Sequence, residues 1–264
     1  MRKPLLPLPV NCMATGSTLN RCRLDQLIMD KGLVNSRTRA RAVIMAGKVL
    51  VNDQPCDKPG SRVDPGADIR LKTPDHPYVS RGGLKLEKAL TTFAVDVTDR
   101  VCLDIGASTG GFTDCLLQFG AGHVYAVDVG YGQLAWALRN DPRVTVIERT
   151  NIRHMAWETI GRQVDLVAAD TSFISLKTVI PAAETFMGQD TRVIALIKPQ
   201  FEAGKNHVGK GGVVKDPEIR KQVVSDISQF FSDRGYAVQG VVPSPVPGPK
   251  GNMEYLIFLI FRPR

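Results

Sequence analysis

The stretch Asp104-Ile-Gly-Ala-Ser-Thr-Gly-Gly-Phe112 decides the fold of this 264-residue chain. It follows Val101-Cys102-Leu103, an apolar run typical of a buried strand, and it precedes Thr113 to Phe119, whose pattern predicts a helix. Its glycines let the backbone turn sharply and approach a ligand closely, because no Cβ stands in the way. We therefore predict a Rossmann-like, doubly wound α/β sheet that binds a nucleotide cofactor at this loop.

The composition of the loop narrows the choice of cofactor. Dinucleotide loops carry Gly-x-Gly-x-x-Gly and phosphate loops carry Gly-Lys-Ser/Thr, but this loop has neither pattern and no lysine. S-Adenosylmethionine, which has no phosphates, fits such a loop, and we expect a side chain at Gly110 to occupy the space of this ligand. A second predicted strand ends in Asp128, a carboxylate suited to accept hydrogen bonds from ribose hydroxyls. An ordinary tight turn is the alternative, but it does not explain this second acidic strand end.

Length and composition are consistent with two domains and a buried core. No apolar run approaches the roughly 20 residues that span a bilayer. Prolines interrupt the apolar start, so we interpret residues 1–20 as a disordered lead, with Met13 as an alternative start. The five cysteines form no Cys-x-x-Cys pair and no two histidines have metal-ligand spacing. We therefore expect reduced thiols, a cytoplasmic protein and no metal site.

The net charge of +8 is concentrated near the amino terminus, where residues 1–80 hold thirteen Lys and Arg against seven Asp and Glu. Two predicted helices, over residues 24–31 and from Ser36 onward, are followed by predicted strands at residues 48–54 and 68–72. Basic residues crowd this compact unit without alternating acids, which favours a phosphate-binding face over a merely solvated helix. The candidate RNA-binding residues are Arg21, Arg23, Arg37, Arg39, Arg41 and Lys48.

Residues 21–72, with Arg-x-Arg-Leu-Asp, Gly-Leu-Val-x-Ser-Arg-x-x-Ala and Gly-Lys-Val-Leu-Val-Asn, resemble the small RNA-binding domain of ribosomal protein S-four. The rest of the chain resembles the TlyA family of ribosomal RNA ribose methyltransferases, historically called haemolysins. The motifs that carry this second resemblance are the glycine loop, Tyr78 to Leu90, Asp170-Thr-Ser-Phe-Ile-Ser-Leu176, Lys198-Pro-Gln-Phe-Glu202 and Gly248-Pro-Lys-Gly-Asn-Met-Glu254. Together they imply an α+β RNA-binding domain at residues 21–73, a linker at 74–80 and an FtsJ-like methyltransferase domain at 81–264.

The resemblance implies an S-adenosylmethionine-dependent enzyme that methylates a ribose 2′-hydroxyl of ribosomal RNA, at a cytidine by family analogy. It also implies a catalytic Lys–Asp–Lys–Glu tetrad, whose matching positions are Lys85, Asp170, Lys198 and Glu254. From the residues alone, Asp170 and Lys198 each follow a predicted buried parallel strand, and Glu254 opens another. We expect Lys198 to act as the base or proton-handling group and Lys85 to act as its electrostatic and positioning partner. The two acids are expected to orient the ammonium groups. Taken singly, each position is equally consistent with a surface charge.

The residues expected at the cofactor are Asp104, Gly106, Ser108, Gly110, Gly111, Phe112, Asp128, Asn151, Asp170, Ser172 and Phe173. The expected partners are ribosomal RNA or ribosomal subunits, with no membrane partner and a monomeric state. The stretch from Phe201 to Lys215 is glycine-rich and basic, and we interpret it as a mobile loop that becomes ordered with RNA.

Two other functions remain as alternatives. A membrane-active haemolysin would need an amphipathic or apolar segment, and the sequence contains no convincing one. A non-catalytic RNA-binding protein with a decayed enzyme domain is disfavoured, because all four tetrad positions and the glycine loop are filled.

Overall fold

The computed structural model describes residues 21–34, 36–72 and 76–263. The expected lead at residues 1–20, with its alternative start at Met13, lies outside the described residues, as do positions 74 and 75 of the expected linker. The chain divides into two compact units, one up to residue 75 and one from residue 76 onward. Each unit has a hydrophobic core of its own.

The first unit is small and mixes helices with short antiparallel strands. Its elements are β1 (Cys22–Arg23), α1 (Leu24–Asp30), α2 (Arg37–Met45), β2 (Val49–Val51), β3 (Gln54–Cys56), β4 (Arg62–Val63) and β5 (Ile69–Leu71). Strand β1 pairs with β4, and β2 lies between β3 and β5. The side chain of Ser36 accepts a hydrogen bond from the Arg39 amide at 3.2 Å, which caps the start of α2. Apolar residues of both helices, among them Leu24, Ile28 and Ile44, form the core.

The second unit is built on a seven-stranded sheet in the order β11-β12-β10-β9-β6-β7-β8. Its strands are β6 (Val101–Ile105), β7 (His123–Val127), β8 (Val144–Ile147), β9 (Val164–Ala169), β10 (Met187–Ile197), β11 (Ala237–Pro243) and β12 (Tyr255–Ile260). Its helices are α3 (Gly82–Thr92), α4 (Gly111–Gln118), α5 (Trp136–Arg139), α6 (Leu176–Ala183), α7 (Pro199–Glu202) and α8 (Pro217–Asp233). Short 3-10 turns span Ile152–His154, Trp157–Thr159, Glu184–Phe186, Lys205–His207 and Pro249–Gly251. Strands β10, β9, β6, β7 and β8 run parallel, and β12 is antiparallel to both of its neighbours, β10 and β11. The predicted Rossmann-like α/β fold is confirmed.

Helices cover both faces of this sheet, as the burial of strand β6 shows. All five of its residues are buried, as in central parallel strands. Alternate side chains of a strand point to opposite faces, so Leu103 joins the core formed with α6 and α8, while Cys102 joins the core formed with α3 and α4.

The order of the strands brings the loops of the site to one edge. After β6 the chain builds β7 and β8 on one side and then returns to place β9 on the other side of β6. The loops that follow β6 and β9 therefore leave the sheet side by side, at the topological switch point where open α/β sheets bind ligands. Strand β12 is antiparallel to β10 with Tyr255 opposite Ile197, so the start of β12 lies where β10 ends. Asp170, Lys198 and Glu254 consequently share this edge.

Helix α3 supplies Lys85 from outside the sheet. Lys85 precedes the fully buried Ala89 by one helical turn, so both lie on the face that packs inward, and α3 contacts β12. Tyr78 and Val79, which fall in the expected linker, pack within the second unit: Tyr78 is 4% exposed, and the Val79 amide donates to Asp114 Oδ2 at 2.7 Å. Within the described part of the chain, none of the helices is long and apolar enough to cross a membrane.

Candidate active site

Lys198 follows β10 directly and forms the first of two lysine–carboxylate pairs. Its Nζ lies 2.6 Å from Asp170 Oδ1 and donates a hydrogen bond to Ser172 Oγ at 3.0 Å. The Lys198 side chain is 8% exposed and that of Asp170 is 21% exposed. A nearly buried cation that is held by a carboxylate and a hydroxyl has a fixed position, as proton transfer requires.

Lys85 and Glu254 form the second pair, with Nζ 2.6 Å from Oε2. Glu254 is completely buried, and its other oxygen, Oε1, accepts a hydrogen bond from Gln200 Nε2 at 3.2 Å. Gly248 packs against the same carboxylate so closely that any added Cβ would overlap it. Glu254 is therefore held on three sides.

Both pairs belong to one cavity of about 360 Å³. It is lined by Ser80, Arg81, Gly82, Lys85, Gly106, Ala107, Ser108, Thr109, Gly111, Phe112, Asp170, Ser172, Lys198, Val246, Pro247 and Gly248. The structure thus places three of the four predicted tetrad residues on the cavity wall and the fourth, Glu254, behind Lys85. Two cations face one space, and each has a carboxylate partner that limits the excess of positive charge.

A second cavity, of about 460 Å³, adjoins the first and shares Gly106, Ser108, Asp170 and Ser172 with it. Its other lining residues are Ile105, Val127, Asp128, Val129, Gln133, Thr150, Asn151, Ile152, Thr171, Phe173, Ile174 and Val179. Six aliphatic side chains and Phe173 make it the more apolar of the two cavities. The two together fit a ligand with an aromatic ring system at one end and charged groups at the other.

Asp128 and Asn151 lie in this second cavity and also hold local backbone structure. The carboxylate of Asp128 accepts hydrogen bonds from the amides of Ser108, at 2.7 Å, and Gly130, at 2.6 Å. Asn151 Oδ1 accepts from the Arg153 amide at 3.1 Å and caps a 3-10 turn. A carboxylate has about four lone-pair sites, so Asp128 retains acceptor capacity for a ligand.

Nine of the eleven residues expected at the cofactor line the two cavities, and Asp104 and Gly110 do not. Gly110 has φ of +98°, and a Cβ there would lie 2.3 Å from Leu138 Cδ1 and 2.8 Å from Leu134 Cδ1. The expectation that a side chain at Gly110 would occupy ligand space is therefore wrong. The left-handed backbone of this residue turns its missing Cβ toward the helix α5 region, so a substitution would disturb packing first.

Asp104 is the penultimate residue of β6 and is fully buried. The hydroxyl of Thr113 donates to its Oδ2 at 2.7 Å, and its Oδ1 has no hydrogen-bond partner. Burial raises the pKa of Asp104 to about 7, and the nearby carboxylate of Asp170 adds to the rise.

Replacing Asp104 by asparagine is expected to remove a pH dependence of stability. The pKa of Asp104 is about 7 in the folded state and about 4 in the unfolded state. The contribution of its protonation to the free energy of unfolding is therefore fully present below pH 4 and is lost as the pH rises to about 7. Asp104→Asn should therefore gain stability relative to the wild type by a few kcal/mol between pH 4 and pH 8. Urea unfolding at both pH values measures this gain. Asp99→Asn, at an exposed turn, is the control, and equal pH dependence in both variants would contradict the assignment.

Two aromatic side chains border the site. Phe173 is 89% exposed at φ of +66°, and its ring centroid lies 5.0 Å from that of Phe201 on α7. Phe112, in contrast, is 3% exposed and belongs to the core, although it touches the first cavity. An exposed large aromatic beside a polar cavity is suited to contact a bound molecule.

Glu202 ties the two loops of the site together. Its carboxylate accepts hydrogen bonds from Ser175 Oγ, at 2.6 Å, and from the Leu176 amide, at 2.8 Å, so it caps the start of α6 from the end of α7. Burial raises the pKa of Glu202, and these two hydrogen bonds oppose the rise. The loop of Ser172 is thereby held beside the segment that starts at Lys198.

The stretch from Phe201 to Lys215 is more regular than the sequence predicted. Pro199 begins α7 directly after Lys198, a position where proline favours a helix start, and α7 includes Phe201. Farther along, Gly209 pairs with Val213, and Asn252 holds this part through hydrogen bonds to the Gly212 carbonyl, at 2.9 Å, and from the Val214 amide, at 3.2 Å.

In the first unit, a buried carboxylate organises two of the expected RNA-binding residues. Asp25 is fully buried and accepts two hydrogen bonds from the guanidinium of Arg23, at 2.9 and 2.8 Å, while Arg37 Nε lies 3.7 Å away. The hydrogen bonds from Arg23 lower the pKa of Asp25. Arg21 and Arg41 are exposed. Arg39 and Lys48 are partly exposed, so all six predicted positions can reach solvent.

Sequence reasoning missed the roles of Gln200 and Gly248, although both lie in motifs that it singled out. A contact to Glu254 across the fold leaves no local signal in the sequence. In the described ranges, no group of three or more His, Cys, Asp or Glu side chains could hold a metal ion.

Each of the two units matches the model of a known protein family. A model described as FtsJ-like methyltransferase matches residues 78–261, and a model described as S4 domain matches residues 22–69. The first match covers more than half of the chain and includes every residue of the two cavities.

Individual proteins are similar over nearly the whole length. The "16S/23S rRNA (cytidine-2'-O)-methyltransferase TlyA" of Mycobacterium tuberculosis H37Rv is 50% identical over 240 residues, which are 90% of each chain. "Hemolysin A" of Brachyspira hyodysenteriae is 39% identical over 90% of this chain and 99% of its own. A solved structure of a candidate hemolysin from Streptococcus thermophilus has a TM-score of 0.72 and 43% identity, covering 92% of this chain and 89% of its own.

Proposed function

Because the chain belongs to the FtsJ-like methyltransferase family, we propose that it transfers a methyl group from S-adenosylmethionine to a ribose 2′-hydroxyl of ribosomal RNA. A cytidine is the proposed target, as in the name of the Mycobacterium tuberculosis relative. We also propose that the protein is cytoplasmic, because its substrate would be ribosomal RNA, and that it acts as a monomer, because one chain supplies both lysine–carboxylate pairs.

One observation carries this proposal. Lys198 and Lys85, each paired with a carboxylate, line a single cavity, and that cavity adjoins the second cavity at the glycine loop. Two lysines at one site suit a reaction in which an alcohol loses a proton and its oxygen becomes negative.

The residues of the chain fit the proposed cofactor. Gly106 lies so close to the Asp170 carbonyl that a Cβ would come within 2.7 Å of it, so only glycine leaves this cradle open. Asp128 would accept from the ribose hydroxyls, the aliphatic cavity would hold the adenine, and Ser108 and Gly111 would lie beside the amino-acid end. When bound, S-adenosylmethionine supplies a methyl group activated by its sulfonium.

The lysines prepare the ribose oxygen for attack. A 2′-hydroxyl is a poor nucleophile at neutral pH, so a group must accept its proton as the new bond forms. We assign this role to Lys198, held in place by Asp170 and Ser172; its ammonium group must release a proton before Nζ can accept that of the hydroxyl. Lys85, which is paired with Glu254, stabilises the negative charge that develops on the oxygen.

Asp128→Asn is expected to weaken S-adenosylmethionine binding by about 10-fold or more, because hydrogen bonds to a charged acceptor contribute about 1.5–3 kcal/mol. Titration calorimetry measures this loss. Asp96→Asn is the matched control, since Asp96 also accepts from the amide two residues ahead but lies away from both cavities. Equal affinities in wild type and Asp128→Asn would remove Asp128 from the cofactor site.

Replacing Arg37, Arg39 and Arg41 by alanine is expected to weaken ribosomal RNA binding and to flatten its salt dependence. Each lost phosphate contact should reduce the slope of log affinity against log salt by about 0.7 to 0.9. Filter binding at several salt concentrations gives the slope, and S-adenosylmethionine affinity should stay unchanged. An unaltered RNA affinity and slope would mean that helix α2 presents an ordinary solvated face.

The direct test of the function uses the wild-type protein with radiolabelled S-adenosylmethionine and ribosomal RNA or subunits that lack the modification. We expect label in RNA, and sequencing for ribose methylation should map it to a 2′-oxygen. Label on a base, or none in RNA while S-adenosylmethionine binds, would contradict the proposal.

A further inference from the structure

The amide of Gln200 has a fixed orientation. Its nitrogen, Nε2, faces Glu254 Oε1 at 3.2 Å, and the other oxygen of Glu254 is paired with Lys85. An ionised carboxylate can only accept hydrogen bonds, so the NH₂ group must be the half that faces it. The carbonyl oxygen, Oε1, is therefore the half of the amide that Glu254 does not use.

That oxygen has no partner in the structure. Gln200 Oε1 is buried and receives no hydrogen bond. Buried polar atoms in native proteins are nearly always satisfied, and an exception calls for an explanation such as a ligand. Gln200 stands only two residues after Lys198, so a hydrogen-bond donor on the bound substrate would explain the unpartnered oxygen.

A cavity adjoins this side chain. Its volume is about 410 Å³, and it is lined by Gln200, Phe201, Gly204, Val208, Gly209 and Gly212. It offers the aromatic ring of Phe201, and RNA-binding proteins stack unstacked bases on such rings. A Cβ at Gly204 or Gly212 would meet no atom within 4 Å, so these two glycines face open space.

We propose that this cavity receives the base of the target nucleotide and that Gln200 Oε1 accepts a hydrogen bond from the 4-amino group of cytosine. The proposal rests on the proposed function. Because Oε1 is the buried atom of this amide that lacks a partner, Gln200 presents an acceptor to the base. Cytosine presents a donor at this position, whereas uracil presents the acceptor O4, and two facing acceptors repel. Gln200 is then a specificity-determining residue, and through Glu254 it connects the base to the tetrad.

The first test uses the wild-type protein, so it does not depend on the folding of a variant. Once the target is mapped, the same RNA is made with the pyrimidin-2-one ribonucleoside, which lacks the 4-amino group, at that position. Loss of one hydrogen bond in a buried site should reduce kcat/KM by about 10-fold or more. Equal methylation of both RNAs, or a mapped target other than cytidine, would overturn the base assignment.

The second test asks whether Gln200 is the partner of that amino group. Gln200→Met keeps the length of the side chain but removes the acceptor, and we expect kcat/KM on the cytidine RNA to fall by about 10-fold or more. On the analogue RNA the same variant should lose much less, because the hydrogen bond is already absent. Losses that multiply independently would overturn the pairing of the two groups.

Two controls separate this inference from a structural role and from failure of the proposed function. Gln222 on α8 is exposed and also donates to a carboxylate, Asp226, at 2.7 Å, so Gln222→Met should leave kcat/KM unchanged on both RNAs. S-Adenosylmethionine affinity should be the same in wild type and Gln200→Met. A wild-type protein that methylates no RNA ribose refutes the proposed function, whereas methylation without base selection refutes only the inference.

Discussion

Lys198→Ala is expected to reduce methyl transfer by at least about 100-fold, the typical effect of losing acid–base assistance. The side chain lies between Asp170 and Ser172 on the cavity wall, and no other lysine contacts Asp170 in the described residues. Affinities for S-adenosylmethionine and RNA should persist, because neither the glycine loop nor the first unit depends on this amine. Single-turnover transfer of labelled methyl groups measures the effect.

Lys198→Arg distinguishes proton transfer from charge. A guanidinium keeps the positive charge but cannot lose its proton in a protein, so this variant should be no more active than the alanine variant. Lys221→Ala is the control, because Lys221 pairs with Glu218 at 2.7 Å but is exposed on α8. Near-normal transfer by Lys198→Arg would show that Lys198 acts through charge alone, and near-normal transfer by Lys198→Ala would exclude it from the reaction.

The edge of the sheet was predictable because it depends on local patterns. Apolar runs ending in Asp104, Asp128 and Asp170 are visible in the sequence, and the carboxyl ends of parallel strands meet at one edge. The place of Glu254 followed less directly. It begins a strand instead of ending one, and it reaches the site only because β12 is antiparallel to β10 with Tyr255 opposite Ile197.

Contacts across the fold were not predictable in the same way. Nothing in the residues around Gly110 shows that its missing Cβ faces Leu134 and Leu138, since that depends on where α5 packs. The sequence likewise gives no sign that Asp25 is buried beneath Arg23, although both were part of one motif. Such features depend on tertiary packing, which overrides the local signal.

Gly248→Ala is expected to disable the tetrad although none of its four residues is substituted. A Cβ at Gly248 would lie 2.4 Å from the carboxyl carbon of Glu254, and Gly248 does not have a left-handed φ, so backbone strain does not complicate the change. Glu254 is fully buried and paired with Lys85 and Gln200, so any shift of its carboxylate disturbs both contacts. Its displacement by about 1 Å should reduce methyl transfer by about 100-fold, as misplacement at a catalytic site does.

Gly251→Ala is the matched control in the same segment, because a Cβ there meets no atom within 4 Å and the change adds only strain at φ of +83°. It should lower the melting temperature while turnover by the folded protein stays near normal.

A second variant tests directly whether the steric clash is the cause. Glu254→Asp shortens the carboxylate and makes room for the added methyl. If the clash is the cause, Gly248→Ala with Glu254→Asp should be more active than the product of the two single effects predicts. Losses that simply multiply would mean that Gly248→Ala lowers transfer by a route other than its clash with Glu254.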